Sequence, residues 1–262
     1  MPANTAATIG IRIPNVPHDV PVENARQTAT TNMISYKSGL IGIEVAKGSL
    51  ELSKIEQNMA QARLNAGAGT NIELLNAKEA VLKAQKQVED ATYGNNTLLK
   101  KLQVMTGWGY DASPQIGDIP EPDMNREFNP SKDLEEAIKN NYTLRINERK
   151  LANAKSDSDR QTLENTIGDN KAHISTSLMV AAQNITSAKE AYNYANEFAK
   201  LQEGNLSLAN QRYSLGLISK SDLETQRITA ENAKNSLIQS KYALVQAMVN
   251  YDFAVKGLAS VS

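Results

Sequence analysis

The sequence contains no cysteine, and only 5% of its 262 residues are aromatic. The missing cysteines exclude disulfide bonds, thiolate metal sites and cysteine nucleophiles. Three phenylalanines and one tryptophan are few for the core of a compact globular domain of this length. No stretch approaches the roughly 20 apolar residues that a membrane-spanning helix needs. We therefore expect no direct insertion of this chain into a membrane.

The charged residues and histidines limit the possible partners and chemistry. The formal net charge is −1, and no cluster of Lys and Arg is interleaved with aromatics, so nucleic acid is excluded as a partner. His18 and His173 lie far apart, and neither has a helical metal-ligand spacing to another candidate ligand. No nucleophile motif, glycine-rich phosphate loop or paired carboxylates are found. We expect no enzyme activity, no metal and no cofactor.

What the sequence does contain is an internal repeat. Residues 63–93 fall into register with residues 212–242, and each copy is a pair of helical stretches around a short glycine-bearing turn. The matched positions include Arg63 with Arg212, Gly67 with Gly216, Leu74 with Leu223, and Ala84 with Ala233. A repeat of this size indicates a duplicated supersecondary unit that packs against its own copies.

Apolar residues recur every seven positions along the predicted helices, which is typical of coiled coils. We therefore predict an all-α fold of elongated antiparallel coiled-coil hairpins in two repeats. Polar residues away from these rows, such as Lys83, Gln87, Asn232 and Gln239, are predicted to face a lumen or solvent. The main rows are Val45, Leu52 and Met59; Leu74, Val81, Val88 and Leu102; Tyr194, Leu201, Leu208 and Leu215; and Leu223, Ala230, Leu237, Leu244 and Tyr251.

Prolines and glycines divide the chain into segments. Three prolines predict an extended arm at the N-terminus, and Gly168-Asp169-Asn170 predicts a break within the second repeat. The predicted segments are the arm over 1–23, the first helical hairpin over 24–106, a linker over 107–131, the second helical repeat over 132–257 and a tail over 258–262.

Both glycine turns are followed by a helix-capping pattern. Thr70 precedes Glu73, and Ser219 precedes Asp222, so a hydroxyl and an acid can each bond a backbone amide. Next to the second turn, Leu217 and Ile218 are apolar at a position where solvent exposure is expected. This indicates either a docking surface or burial against a neighbouring hairpin.

These turn sequences resemble the TolC-type outer-membrane efflux duct proteins. The similarity is carried by residues 62–77 and 211–223, by the segment from Leu99 to Tyr110 and by the segment from Leu134 to Asn141, and it covers about residues 35 to 257. The resemblance implies a TolC-like α-barrel subunit of a homotrimer in an efflux or type I secretion assembly. It also implies docking at the hairpin tips to a periplasmic adaptor (membrane fusion) protein and an inner-membrane transporter.

The resemblance assigns roles to particular tip residues. Tyr213 matches a tyrosine that holds the tunnel closed, and Glu73 matches its acidic contact. Asp222 matches the first of two constricting aspartates, while Thr225 stands at the second. Glu73 and Asp222 are also explained as helix caps. The tip residues implied in adaptor docking are Gly67, Ala68, Gly69, Gly216, Leu217 and Ile218. The three glycines are also explained by the turn alone, with the adaptor contact then made by Ala68, Leu217 and Ile218.

Two features differ from the family pattern. Between about 167 and 173 there is room only for a turn where the family has barrel strands, and the proline-bearing arm replaces the first helix. We interpret the chain itself as soluble, and its start at Met1-Pro2 as arbitrary. It is either a relative that never enters a membrane or a segment of a longer protein, and we expect the parent protein in the cell envelope (periplasm or outer membrane). The alternative function is a helical-bundle scaffold or cell-envelope interaction protein that forms no conduit.

Overall fold

The computed structural model describes residues 20–109, 111–112 and 116–259. All regular elements in these ranges are helices, which confirms the predicted all-α fold. They are α1 (Val20–Asn65), α2 (Asn71–Thr106), α3 (Pro130–Asn140), α4 (Tyr142–Ala152), α5 (Asp157–Ser214), α6 (Lys220–Phe253) and a π-helical turn (Ala254–Leu258). Most of the predicted N-terminal arm lies outside the described residues, but residues 20–23 are the first turn of α1 and not extended.

The predicted break at 168–170 is wrong, because Gly168, Asp169 and Asn170 lie inside the continuous helix α5. A glycine in a helix costs about 1 kcal/mol relative to alanine. Here the buried side chains of Ile167, Ile174 and Leu178 hold this part of α5 in the core, and this tertiary packing overrides the local turn preference.

The helix is interrupted earlier in the sequence, at positions where polar side chains cap the start of new helices. The Asn141 side chain accepts a hydrogen bond from the Leu144 amide at 3.0 Å at the start of α4. The Ser156 hydroxyl accepts one from the Asp159 amide at 3.0 Å at the start of α5. Such caps stabilise a helix start by about 0.5 to 2 kcal/mol. The part of the predicted second repeat that precedes residue 168 is therefore divided into α3, α4 and the first part of α5.

The helices contribute to two compact units, and each unit takes segments from both repeats. The hairpin unit consists of 32–112 and 191–242, and it contains both glycine turns. The linker unit consists of the described residues up to Thr31, those in 113–190 and those from Ala243 onward.

In the hairpin unit, α1 packs against both α2 and α6 through its glycines. Gly39 faces the buried side chain of Asn95 on α2, and Gly48 lies against Asn232 and Ile228 on α6. Gly42 lies against Gln239. Asn232 and Gln239, which were predicted to face a lumen or solvent, are instead half-buried against α1, because the glycines leave room for their amides.

Two polar contacts extend the same arrangement of helices. The guanidinium of Arg227 on α6 lies 3.0 Å from the Glu51 carboxylate on α1. The Gln226 amide on α6 donates to the Gln202 side chain on α5 at 3.2 Å. The contacts of the hairpin unit thus give the order α2, α1, α6, α5.

In the linker unit, the C-terminal turn is fixed to the junction of α3 and α4. Gly257 has φ of 98°, a conformation that favours glycine. The buried Asn141 amide donates to the carbonyls of Gly257 at 3.1 Å and Ala259 at 3.2 Å. Nearby, the Tyr251 hydroxyl donates to Asp133 at 2.6 Å, and burial, followed by this carboxylate, raises the Tyr251 pKa.

Candidate functional site

The two hairpin turns have the same backbone geometry. Gly67 and Gly216 both have φ of 71°, in the left-handed region. Past each glycine, the amide of Ala68 donates to the Arg63 carbonyl, and that of Leu217 donates to the Arg212 carbonyl, both at 2.9 Å. This bonding closes a helix end and reverses the chain sharply. The repeat seen in the sequence is thus also a repeat of structure at the tips.

The capping residues at both tips are also in place. The Thr70 hydroxyl accepts from the Glu73 amide at 3.2 Å, and the Glu73 carboxylate accepts from the Thr70 amide at 2.8 Å. Ser219 and Asp222 make the equivalent pair of bonds at 3.1 and 3.0 Å. Hydrogen bonds from the Ser219 hydroxyl, and then from its backbone, lower the pKa of Asp222. In the single chain, both acids act as helix caps.

The two tips differ in the side chains that they expose. The first tip presents the exposed small residues Ala66 and Ala68. The second presents large apolar groups, since Leu215 is 72% and Leu217 68% exposed, while Ile218 is half-buried. Large apolar side chains exposed together at a sharp turn are typical of an interaction surface. The second tip therefore carries the stronger candidate for docking.

The proposed gate residues do not meet one another within the chain. Tyr213 is 42% exposed, and in the part of the chain that is described its hydroxyl makes no hydrogen bond to Glu73. The Thr225 hydroxyl donates to the Ser221 carbonyl of its own helix at 2.9 Å. A gate role for these residues therefore requires contacts beyond the single chain, and it stays a prediction.

Two apolar rows in the hairpin unit are exposed, which was not expected from the sequence. The predicted seam of α5 contains Tyr194, Leu201, Leu208 and Leu215, and these side chains are 72%, 59%, 54% and 72% exposed. A second row on α2 contains Ile72, Leu75, Leu82 and Tyr93, with exposures of 71%, 62%, 66% and 76%. The seven-residue spacing of Leu75 and Leu82 was the available signal for the α2 row.

Similarity to known proteins is found at the level of structure. No protein-family model matches the chain, and no curated protein sequence matches it. The outer-membrane channel OprN matches 90% of this chain with a TM-score of 0.64 at 12% identity, and the match covers 66% of OprN. The channel protein CusC matches 91% with a TM-score of 0.60 at 12% identity, covering 77% of CusC. A membrane protein from Pseudomonas aeruginosa matches 89% with a TM-score of 0.56 at 16% identity, covering 68% of that chain.

The comparison shows that this chain has the helical fold of TolC-type outer-membrane channels. At these identities the similarity concerns the fold alone, and the chain spans about two thirds of the length of the OprN chain. The predicted TolC-like fold is confirmed on this basis. In the described ranges, no helix combines the length and apolar character needed to cross a bilayer, and no group of acidic residues and histidine is arranged to hold a metal ion.

Proposed function

We propose that the chain is a wall subunit of a helical duct in a cell-envelope efflux or secretion assembly. Three copies stand side by side around a lumen, and the hairpin tips dock onto a periplasmic adaptor that connects the duct to an inner-membrane transporter. The subunit catalyses no reaction and uses no cofactor; it forms the wall of the passage and rearranges its tips. The fold shared with outer-membrane channels over about nine tenths of the chain supports this proposal.

The observation that carries the docking part is the apolar second tip. Leu217 follows the left-handed Gly216 and is 68% exposed, and Leu215 before it is 72% exposed. Covering an exposed leucine yields about 25 cal/mol for each Å² of apolar surface removed from water. Apolar side chains held on a rigid turn also lose little conformational freedom on binding. They are suited to anchor the tip of a helical partner.

The docking proposal is tested by placing charge on the second tip. Leu217→Asp and Ile218→Asp should weaken binding to candidate periplasmic adaptors of the source cell at least tenfold, because a carboxylate cannot enter an apolar contact without losing its hydration. Binding is measured by calorimetry and helicity by circular dichroism. Gln87→Asp, on the exposed surface of α2 away from the tips, is the matched control.

The control variant should bind as the unchanged chain does, and all variants should retain their helicity. An adaptor that binds the unchanged chain and the two tip variants with equal affinity would contradict the docking proposal.

We extend the proposal to the gate, where Tyr213, Glu73, Asp222 and Thr225 of adjacent copies narrow the lumen. Tyr213→Ala should then raise the leak of a dye through the assembled duct, while adaptor binding stays constant.

A further inference from the structure

The linker unit contains a cavity of about 570 Å³, here called the linker cavity, which is lined by α5, by α6 and by the segment between α2 and α3. Cavities of roughly 300 to 1,000 Å³ are typical of sites for small molecules. We propose that the linker cavity binds a small anionic amphiphile, a monoanion with an apolar body, whose charged group lies at Lys189 and Arg126. All the lining residues belong to one chain, so this inference requires neither the ring of copies nor the adaptor of the proposed function.

Much of the lining of the linker cavity is apolar. Ile185 on α5 and Met248 on α6 are buried, and Ala182 on α5 is half-buried. The ring of Phe128 adds to this lining, and an edge contact with the ring of Tyr251, at 5.0 Å between centroids, fixes its position. An inorganic anion gains nothing from such a surface, whereas an apolar body gains free energy when it leaves water. The apolar lining therefore favours an organic ligand.

Two cations line the same cavity, and only one of them has an acidic partner. Arg126 donates to both carboxylate oxygens of Asp252, one of them at 2.9 Å. Lys189 donates to the Met124 carbonyl, and it makes no ion pair within the described ranges. The adjacent Glu190 projects about 100° away around α5. A carbonyl accepts a hydrogen bond but does not neutralise a charge, so a ligand with one negative charge would complete the site.

Both cations are held in position while they retain donors for a ligand. The guanidinium carbon of Arg126 lies 4.5 Å from the centroid of the Phe128 ring. Asp252 accepts from two of its five N–H groups, and the others have no partner among the described residues. The ammonium of Lys189 is held by a backbone carbonyl and also keeps N–H groups for a ligand. Because these side chains are already ordered, binding costs little conformational entropy.

The same features argue against other occupants of the linker cavity. An organic cation would meet Lys189 as a like charge, and a neutral apolar molecule would cover this charge without pairing it. At the rim, the exposed amide of Gln183 makes no hydrogen bond in the part of the chain that is described, and it can donate to an anionic oxygen. A second copy that covers the cavity is the remaining alternative, and the experiment distinguishes it.

The proposal is tested by titrating the full chain with dodecanoate in a calorimeter. For a ligand of this size we expect a Kd on the order of 100 μM. Butyrate has the same carboxylate without the long apolar body, and dodecyltrimethylammonium has the same body with the opposite charge. Both should bind at least tenfold more weakly than dodecanoate, because each lacks one of the two features that the cavity recognises.

Three variants show whether the probe binds in the linker cavity. Lys189→Gln keeps a donor for the Met124 carbonyl but removes the charge, and it should weaken dodecanoate binding at least fivefold. Ala182→Phe places a ring in the cavity and should weaken binding at least tenfold. Lys171→Gln is the matched control, since Lys171 is exposed on the same helix and does not line the cavity. It should bind as the unchanged chain does, and circular dichroism verifies that every variant is folded.

Three results would overturn the proposal. Equal binding by the unchanged chain, Lys189→Gln and Ala182→Phe would mean that dodecanoate binds elsewhere, for example at the exposed leucines of the hairpin unit. Binding of dodecyltrimethylammonium as tight as that of dodecanoate would contradict the role of charge. Binding that disappears at concentrations where light scattering shows associated copies would mean that a second copy covers the cavity. None of these results depends on adaptor binding, so the proposed function is tested separately.

Discussion

Replacing Gly39 with alanine tests the close contact between α1 and α2 in the hairpin unit. A Cβ at this position would lie 2.9 Å from Cγ of Asn95 and still nearer to its Oδ1, closer than real Cβ contacts occur. Asn95 is only 4% exposed, and its Oδ1 has no hydrogen-bond partner within the described residues. The amide therefore has little room to move away.

Two opposing effects determine the magnitude for Gly39→Ala. Alanine favours the helix over glycine by about 1 kcal/mol. Forcing an extra methyl group into a packed contact costs about 1 to 3 kcal/mol. Because the neighbour, Asn95, is a buried side chain on α2 that faces α1, we expect the second effect to win, with a net loss of about 1 kcal/mol in the free energy of unfolding.

Gly94→Ala is the matched control, since Gly94 adjoins Asn95 in the same helix but has no atom within 4 Å of its added Cβ. It should stabilise the chain by about 0.5 to 1 kcal/mol. Urea unfolding followed by circular dichroism measures both variants. In the double variant with Asn95→Ala, the new methyl group fills the vacated space, so the two substitutions should couple favourably. Equal stabilisation by Gly39→Ala and Gly94→Ala would refute the reasoning.

Two further predictions concern the C-terminal turn and the second tip. Gly257→Ala should destabilise the linker unit by about 2 kcal/mol or more, because the residue has φ of 98° and an added Cβ would meet the backbone of Asn140. Thermal unfolding measures the loss of stability, and an unchanged midpoint would contradict the prediction. The stabilisation of α6 by the Asp222 cap should depend on pH, because the pKa of Asp222 is lowered in the folded chain. The stabilisation is complete above the ordinary carboxyl pKa of about 4, and it is lost as the pH falls through the lower pKa of the folded chain. The protection factors of the amides at residues 219–223, which are corrected for the intrinsic pH dependence of exchange, should therefore fall on acidification. Asp222→Asn should remove most of that dependence, whereas an identical pH profile in the variant would argue against the cap.

The tips were predictable from sequence because their signals are local. Gly67 and Gly216 are the residues that tolerate the left-handed turn, and the capping pairs Thr70 with Glu73 and Ser219 with Asp222 bond within a single helical turn. The heptad rows likewise predicted helices in α2 and α6 and indicated which face of each helix is packed inside the chain. Each of these features depends on residues close together in the chain.

The parts that sequence reasoning missed depend on distant contacts. Gly168-Asp169-Asn170 favours a turn locally, but buried packing keeps these residues helical. Asn232 is polar and was therefore expected to face solvent, yet Gly48 on α1 leaves a space that the Asn232 amide occupies. The heptad row of α5 predicted an apolar seam, but Tyr194, Leu201 and Leu208 are exposed in the single chain.

The mass of the chain in solution tests the central claim that it is a duct subunit most directly. Light scattering during size-exclusion chromatography should give three times 28.6 kDa, and Leu82→Asp with Leu208→Asp should reduce the particle to a single chain without loss of helicity. A folded monomer at concentrations well above the micromolar range would contradict the duct and favour a scaffold that forms no conduit.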